Sequence, residues 1–525
     1  MAPRATETQV LRVSNRFRDT TYVFLILLVA CLFAYRTFGH TTGSPIIKDA
    51  HQNLRAAYHL VHTGVMGVDH VETDKPKPQM RREPIPILAI AAFLALHPAF
   101  EKPYTIADVA EGNLTKTVKG VNAFWRFLAA VFFMLLCGEL FVPRYIAAAL
   151  GLVGLALSET FFFLQPVYID RLMTEIPGAA MLLASSWCAV RFAKKKCFPR
   201  ALALGLTLGL LALTKAAFFY INIVFVALLL LMDVIKNRRG GGVGLSKELI
   251  GAYVGVMLAM AATVVPWMIR NYLEFGTAQI TTRASEIMGT RVLLVEQPLL
   301  GEIYFFTPAW LGKWPIGRMT GYTAKDLMPG GRIGELPDIK EKHLEIFAQR
   351  MQTERFIGDA EQWRRQMVIN YIAQHPIRYV ASIPIFAYKG MGFMQEWGLF
   401  FNALALLGFF GVFLWALFTG QQIWLAAFGL GAGLFAFVSV FTDALGRYNA
   451  PMAPLVVISV LWLITVLVRR FLISLSWRGE VFSLGRRWTK IPATPQLPDA
   501  LARPRNLESS LARPRSAPVT LLNPK

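Results

Sequence analysis

The chain has 525 residues, of which 55% are hydrophobic, 12% aromatic and only 17% charged. That balance excludes an ordinary soluble globular protein, and apolar runs of about 17–20 residues have the length a helix needs to cross a bilayer. The net charge of +21 comes from basic residues between those runs and in the tails. The positive-inside rule produces that distribution, so nucleic-acid binding is not expected.

In chain order, a basic segment (1–21) carrying Arg4, Arg12, Arg16 and Arg18 leads into a full-length apolar run. It shows no convincing small-residue cleavage site, so an uncleaved first span is expected. Ten spans read clearly: 22–39, 123–141, 145–163, 175–192, 200–214, 217–234, 249–268, 399–418, 422–441 and 450–468. The apolar stretches 84–98 and 379–395 are short and carry Pro or Lys. If 84–98 crossed, three basic loops would lie outside, so both stretches are read as re-entrant or interfacial. The expected fold is an all-α polytopic bundle with both termini cytoplasmic. A core (22–268) contains an outer loop (40–122), followed by a mostly irregular outer segment (269–398), further spans (399–470) and a disordered basic tail (471–525) with "LARPR" twice. The four cysteines form no CxxC pair and imply no disulfide framework.

Within the first outer loop, "KDAHQNLRAAYHLVHTG" (Lys48–Gly64) reads as a short helix ended by Gly64. His51, Arg55, His59 and His62 fall on one face, and Leu54, Ala57 and Val61 on another. This topology also brings to the outer side Arg82 in "RREPIPIL", Asp170 and Glu175 in "YIDRLMTEIPG", Lys215 in "LTKAAF", Arg270 in "PWMIRNYLEFG", and Arg447 and Tyr448 in "GRYNAPMAP". Carboxylates and fixed cations at one face suit breakage of an anomeric carbon–phosphate bond. A carboxylate removes a proton from an acceptor hydroxyl, while Arg and Lys neutralise the departing phosphate.

The ordered series, over roughly Tyr22 to Arg470, resembles the polytopic GT-C glycosyltransferases that use polyprenyl-phosphate sugars. These include protein O-mannosyltransferases, the aminoarabinose transferase of lipid A and rhizobial galacturonosyltransferases. The resemblance implies Asp49 as catalytic base, followed by Tyr58 and Gly64, and a basic-then-P-x-P element at Arg82, Pro84 and Pro86. It implies second-loop acids at Asp170 and Glu175, phosphate ligands Arg82, Lys215, Arg270 and Arg447, and a late element of Arg447, Tyr448, Pro451 and Pro454, and the polar stripe of the first-loop helix adds Arg55 as a further phosphate ligand. Tyr58, His59, His62 and Tyr448 would contact substrate. Many relatives carry Asp-Glu in the first loop where this chain has Asp49-Ala50, and "LTKAAF" lacks the glycine that commonly follows the lysine. The implied setting is a bacterial inner membrane with a periplasmic site. The implied partners are a lipid-linked donor, membrane lipids, and an acceptor among lipopolysaccharide, glycolipid and protein. A lipid-linked sugar flippase and a non-catalytic envelope scaffold are the alternatives.

Plainer roles stand beside these. Asp49 with Gln52 three residues on matches a capping box. Glu175 could face a helix dipole, and Asp170 could pair with Arg171 at the surface. Lys215 could snorkel, Arg270 could sit in an aromatic belt, and Arg447 could pair with Asp443. No cofactor is expected. His59 and His62 with Asp69 or Glu72 could hold a divalent metal, but their spacing matches no recognised zinc pattern. "FFTPAWLGKWPIGRMTGY" (Phe305–Tyr322) is rich in rings suited to stacking on a sugar, and Asp359–Pro376 reads as an amphipathic helix ended by Pro376.

Overall fold

The computed structural model describes residues 4–67, 75–157, 166–239, 246–296, 335–354, 356, 359–391, 398–443 and 446–477. Contacts divide the chain into two units between Phe471 and Leu472, and the first unit holds both the bundle and the candidate site. Asp69, Glu72, the aromatic stretch Phe305–Tyr322 and residues 478–525 lie outside the described residues.

Among the described residues no strand forms, and a single bridge pairs Gly67 with Pro78. The helices are α1 (Arg4–His40), α2 (Lys48–Thr63), α3 (Pro84–Leu96), α4 (Ile106–Ala110), α5 (Thr115–Lys119), α6 (Asn122–Leu140) and α7 (Arg144–Leu157). They continue as α8 (Pro166–Ile169), α9 (Glu175–Lys194), α10 (Phe198–Thr214), α11 (Ala217–Arg239), α12 (Lys247–Phe275) and α13 (Arg283–Glu296). The rest are α14 (Glu335–Thr353), α15 (Ala360–Gln374), α16 (Pro376–Gly390), α17 (Gly398–Thr419), α18 (Gln422–Phe441), α19 (Gly446–Asn449) and α20 (Ala453–Trp477).

The fold is therefore the all-α polytopic membrane type that composition implied. Seven helices among the described residues are long and apolar enough to cross a membrane, and they coincide with seven of the ten expected spans. The other three expected spans fall on shorter apolar helices, Arg144–Leu157, Phe198–Thr214 and Leu404–Thr419. The 13 residues of α3 extend about 20 Å at 1.5 Å per residue, short of a hydrocarbon core of about 30 Å.

One expectation needs correction. The segment 269–398 is not mostly irregular: its described part is largely α13 to α16. The amphipathic reading of Asp359–Pro376 falls on α15 and the apolar stretch 379–395 overlaps α16, whereas α13 and α14 are too polar for hydropathy to mark. Asp359 caps α15 by accepting from the backbone N–H groups of Glu361 (3.1 Å) and Gln362 (3.4 Å), and Pro376 opens α16 directly after it.

Helix α9 is buried on almost every side, and α18 nearly as deeply. By contrast α1 exposes Phe24, Leu28 and Leu32, and α12 exposes Val254 and Leu258, as lipid-facing helices would. Close approach of α10 to α12 depends on two small residues four apart. A Cβ on Gly205 would run into the Val256 carbonyl oxygen, and one on Gly209 would lie 2.5 Å from the Thr263 side chain. The smaller core under α2, α3 and α4, formed by Leu54, Ala57, Ile87, Ile90 and Val109, anchors the first loop.

Candidate active site

The site is assembled from short connections that buried side chains pin together. The second loop is held by Asn53 Nδ2, which donates to the Leu172 carbonyl (2.8 Å), and by Asn122 Nδ2, which donates to the carbonyls of Ile169 (2.8 Å) and Arg171 (3.0 Å). The link between α12 and α13 is held by Trp267 Nε1 donating to Ile280 O (3.1 Å) and Asn271 Nδ2 donating to Gln279 O (2.6 Å). It is tied to the segment before α3 by Thr281 Oγ1 donating to Arg81 O (2.8 Å) and Thr282 N donating to Met80 O (3.2 Å).

These ties place Arg82, Arg283 and Arg447 around Asp49. Arg82 Nη2 donates to Asp49 Oδ1. Arg283 Nη2 lies 3.2 and 3.1 Å from Oδ1 and Oδ2, and Arg447 Nη2 lies 3.1 Å from Oδ2. Burial by itself would raise the Asp49 pKa, but the charges of Arg283, Arg82 and Arg447 outweigh it and hold the carboxyl well below its ordinary range. Asp49 is not a helix cap, which corrects one of its plainer readings. The N-cap is Ile47 without a side-chain cap bond, and Asp49 is the second residue of α2. Gln52 accepts from Arg82 Nε (2.9 Å) instead of closing a capping box. The chain enters α2 through Lys48 at φ 55°, a left-handed conformation that costs a non-glycine residue about 1 kcal/mol or more.

Asp49 opens onto a cavity of about 970 Å³. At its polar end stand Asp49, Arg82, Glu83, Glu175, Lys215, Arg283, Arg447 and Tyr448. Glu175 is buried, with Oε2 lacking a partner, and Lys215 is buried with its ammonium 5.3 Å from the centre of the Tyr448 ring. The cavity then runs down an apolar groove. Phe219, Ile221, Val224 and Leu228 of α11 form one wall, and Gly429, Gly433, Ala436 and Phe441 of α18 the other, with Phe410 and Phe413 of α17 behind. Glycine on α18 lets the two helices approach closely: a Cβ on Gly433 would meet Ile221 of α11 at 2.7 Å. The distance from Gly429 to Phe441 corresponds to about 18 Å of helix, more than half of a bilayer's apolar thickness.

Of the residues singled out from sequence, Asp49, Arg82, Glu175, Lys215, Arg447 and Tyr448 converge on this cavity. The others do not line it. Asp170 accepts from Thr42 N (2.6 Å), Thr42 Oγ1 (2.7 Å), Ser44 Oγ (2.7 Å) and the fully buried Lys119 Nζ (3.0 Å). It thereby staples the end of α1 to the second loop. Arg270 donates to the Gln79 carbonyl (2.9 Å) and stacks on Trp267 and Phe275.

The His stripe of α2 is also turned away from the cavity. Arg55 and His59 are buried, and Arg55 Nη2 lies 3.3 Å from His51 Nδ1. His62 stacks on Tyr58 at 4.1 Å and donates to its carbonyl (2.9 Å). The plainer pairings change as well: Arg447 reaches Asp49, and Asp170 takes Lys119, Thr42 and Ser44 as its partners.

Two cavity residues escape sequence reasoning. Arg283 sits in "TTRASE", where no charge pattern or motif marks it, although Thr281 and Thr282 signal a helix start. Glu83 was legible only as the acid between Arg82 and Pro84 at the mouth of α3. Among the described residues, no group of three or more His, Cys, Asp or Glu side chains could hold a metal ion.

No family model and no curated protein matches the chain. It is similar to the archaeal oligosaccharyltransferase AglB from Archaeoglobus fulgidus, solved in complex with an inhibitory peptide and a dolichol-phosphate. The identity is 12% and the TM-score 0.46, over 88% of this chain and 52% of that one. It is likewise similar to the Archaeoglobus fulgidus oligosaccharyltransferase tethered with an acceptor peptide, at 13% identity and TM-score 0.46, over 88% and 51% of the two chains. The chain thus spans about half the length of the solved structures it matches.

Proposed function

We propose that this chain is an integral-membrane glycosyltransferase of the GT-C type. It moves a sugar from a polyprenyl-phosphate donor to an acceptor in the envelope: lipopolysaccharide, glycolipid or protein. The observation that carries this reading is the cavity itself, in which three carboxylates and four cations stand at the head of a groove with apolar walls. A phosphodiester suits the cations of the head, and a polyprenyl chain suits the groove.

The reaction is a single displacement. Asp49 takes the proton of the acceptor hydroxyl, whose oxygen bonds to the anomeric carbon from the face opposite the phosphate. The bond from that carbon to the phosphate oxygen breaks, its electron pair leaves with the polyprenyl phosphate, and the anomeric configuration inverts. Arg447 and Lys215 balance the charge on the leaving group. Glu175 and Glu83 are left to accept hydrogen bonds from the sugar. The positive-inside reading puts the site on the periplasmic face of a bacterial inner membrane. A flippase for the same lipid would use the same groove but would leave the glycosidic bond intact.

The test compares the envelope lipids, lipopolysaccharide and glycoproteins of cells with and without the protein by mass spectrometry. Loss of one glycan mass, restored by the wild-type chain and not by Asp49→Asn, is the expected result. An unchanged profile, or rescue by Asp49→Asn, contradicts this reading.

A further inference from the structure

As the structure stands, Asp49 is a poor base, because both its oxygens are taken up by guanidinium groups. The three arginines are not equivalent. The Arg82 side chain is tethered once more, by Nε to Gln52 Oε1 (2.9 Å). Arg283 and Arg447 each keep a buried Nε–H with no acceptor. Both line the cavity beside Lys215, whose ammonium has no hydrogen-bond acceptor among the described residues. Four cations facing the three carboxylates Asp49, Glu83 and Glu175 leave this end of the cavity with an excess of positive charge, and arginine forks match the two free oxygens of a phosphodiester.

We propose that Arg283 is a ligand of the donor phosphate and that, with Arg447, it exchanges partners. Both hold Asp49 in the arrangement described, and both turn to the phosphodiester when the donor binds. The proposal rests on the donor reading above and adds a residue and an order of events to it. Arg82 stays on Asp49 and keeps the carboxylate in place. Departure of the other two cations frees the lone pairs that must receive the acceptor's proton, so the base becomes competent only once an anomeric carbon is present. Asp49 and the phosphate compete for the same two arginines.

That competition has an unusual signature, read by binding alone. The probe is a short-chain polyprenyl phosphate without sugar, titrated in detergent micelles against the full chain, with the matching polyprenol as control. Asp49→Asn should bind the phosphate at least about tenfold more tightly than wild type, because Arg283 and Arg447 no longer have to leave a carboxylate. Arg283→Gln should bind it about tenfold more weakly, and polyprenol binding should change in neither variant. Equal or weaker binding by a folded Asp49→Asn overturns the exchange. Unchanged binding by Arg283→Gln removes Arg283 as a phosphate ligand, and this second variant decides the matter if Asp49→Asn does not fold. Failure of the wild-type chain to bind polyprenyl phosphate at all overturns the donor reading itself.

Discussion

Asp49 and Asp170 are both loop carboxylates surrounded by donors, yet their partners differ in kind. Asp170 is held by a backbone N–H, two hydroxyls and a fully buried lysine. The backbone N–H and hydroxyls have little reach, and the lysine is fixed by the carbonyls of Thr42 and Ser44 as well, so the set keeps one geometry and makes a staple. Asp49 is held by three guanidiniums on long side chains at a cavity wall. Those can swing to another anion without moving the backbone. The difference teaches that a crowded carboxylate is read best by the reach of its partners and by whether it faces open space.

The largest effect should separate these two residues directly. Asp49→Asn should lower transfer by about 10²–10⁴-fold, the usual worth of a general base. Asp170→Asn should keep most activity and lower stability by about 1–3 kcal/mol, because the Lys119 charge loses its anion. Transfer rates and thermal unfolding of the two variants measure this, and equal activity losses would erase the distinction.

Next, Lys215→Gln should weaken donor binding about ten- to hundredfold, since hydrogen bonds to a charged group contribute about 1.5–3 kcal/mol. An unchanged KM for donor would return Lys215 to a snorkelling role. A smaller effect is expected from Ala436→Trp, which narrows the groove between α11 and α18. The KM for long-chain donors should rise several-fold while short-chain donors are spared, and a uniform change would mean the lipid lies elsewhere.

The smallest effect concerns pH and the brace behind Arg283. Burial alone would raise the Glu286 carboxyl, but His343, Arg81 and Arg283 together lower it to about 2 from 4.5. Its folded value lies below its unfolded one, so its contribution is complete above pH 4.5 and is lost as pH falls toward 2. Protection factors of the α13 amides, corrected for intrinsic exchange, should fall as pH drops through that window in wild type, and Glu286→Gln should remove that fall.

Much of the fold was legible because hydropathy and length decide where a helix can cross, and every expected span falls on a helix wherever it is described. Of the polar helices in 269–398, α15 was legible from its amphipathic pattern and the proline that ends it, while α13 and α14 were not, since a membrane-length window averages them away. At the site, Lys215 and Glu175 were legible as charges at the ends of apolar runs, where burial needs a reason, and Asp49 through the family resemblance. The stripe on α2 misled because helical spacing says which residues share a face but not which face turns inward: Arg55 and His59 are buried. Arg283 was illegible for a different reason. Its meaning comes from a contact with Asp49, 234 positions away, and no local pattern encodes that contact.

Transfer of a labelled sugar from a polyprenyl-phosphate donor by the purified full chain is the most direct measurement of what this cavity does. With an envelope extract as acceptor, wild type and Asp170→Asn should both release polyprenyl phosphate and form a product of inverted anomeric configuration, while Asp49→Asn should form almost none. A donor that binds and is recovered intact, or a product made equally well by Asp49→Asn, would contradict the assignment of Asp49 as the base.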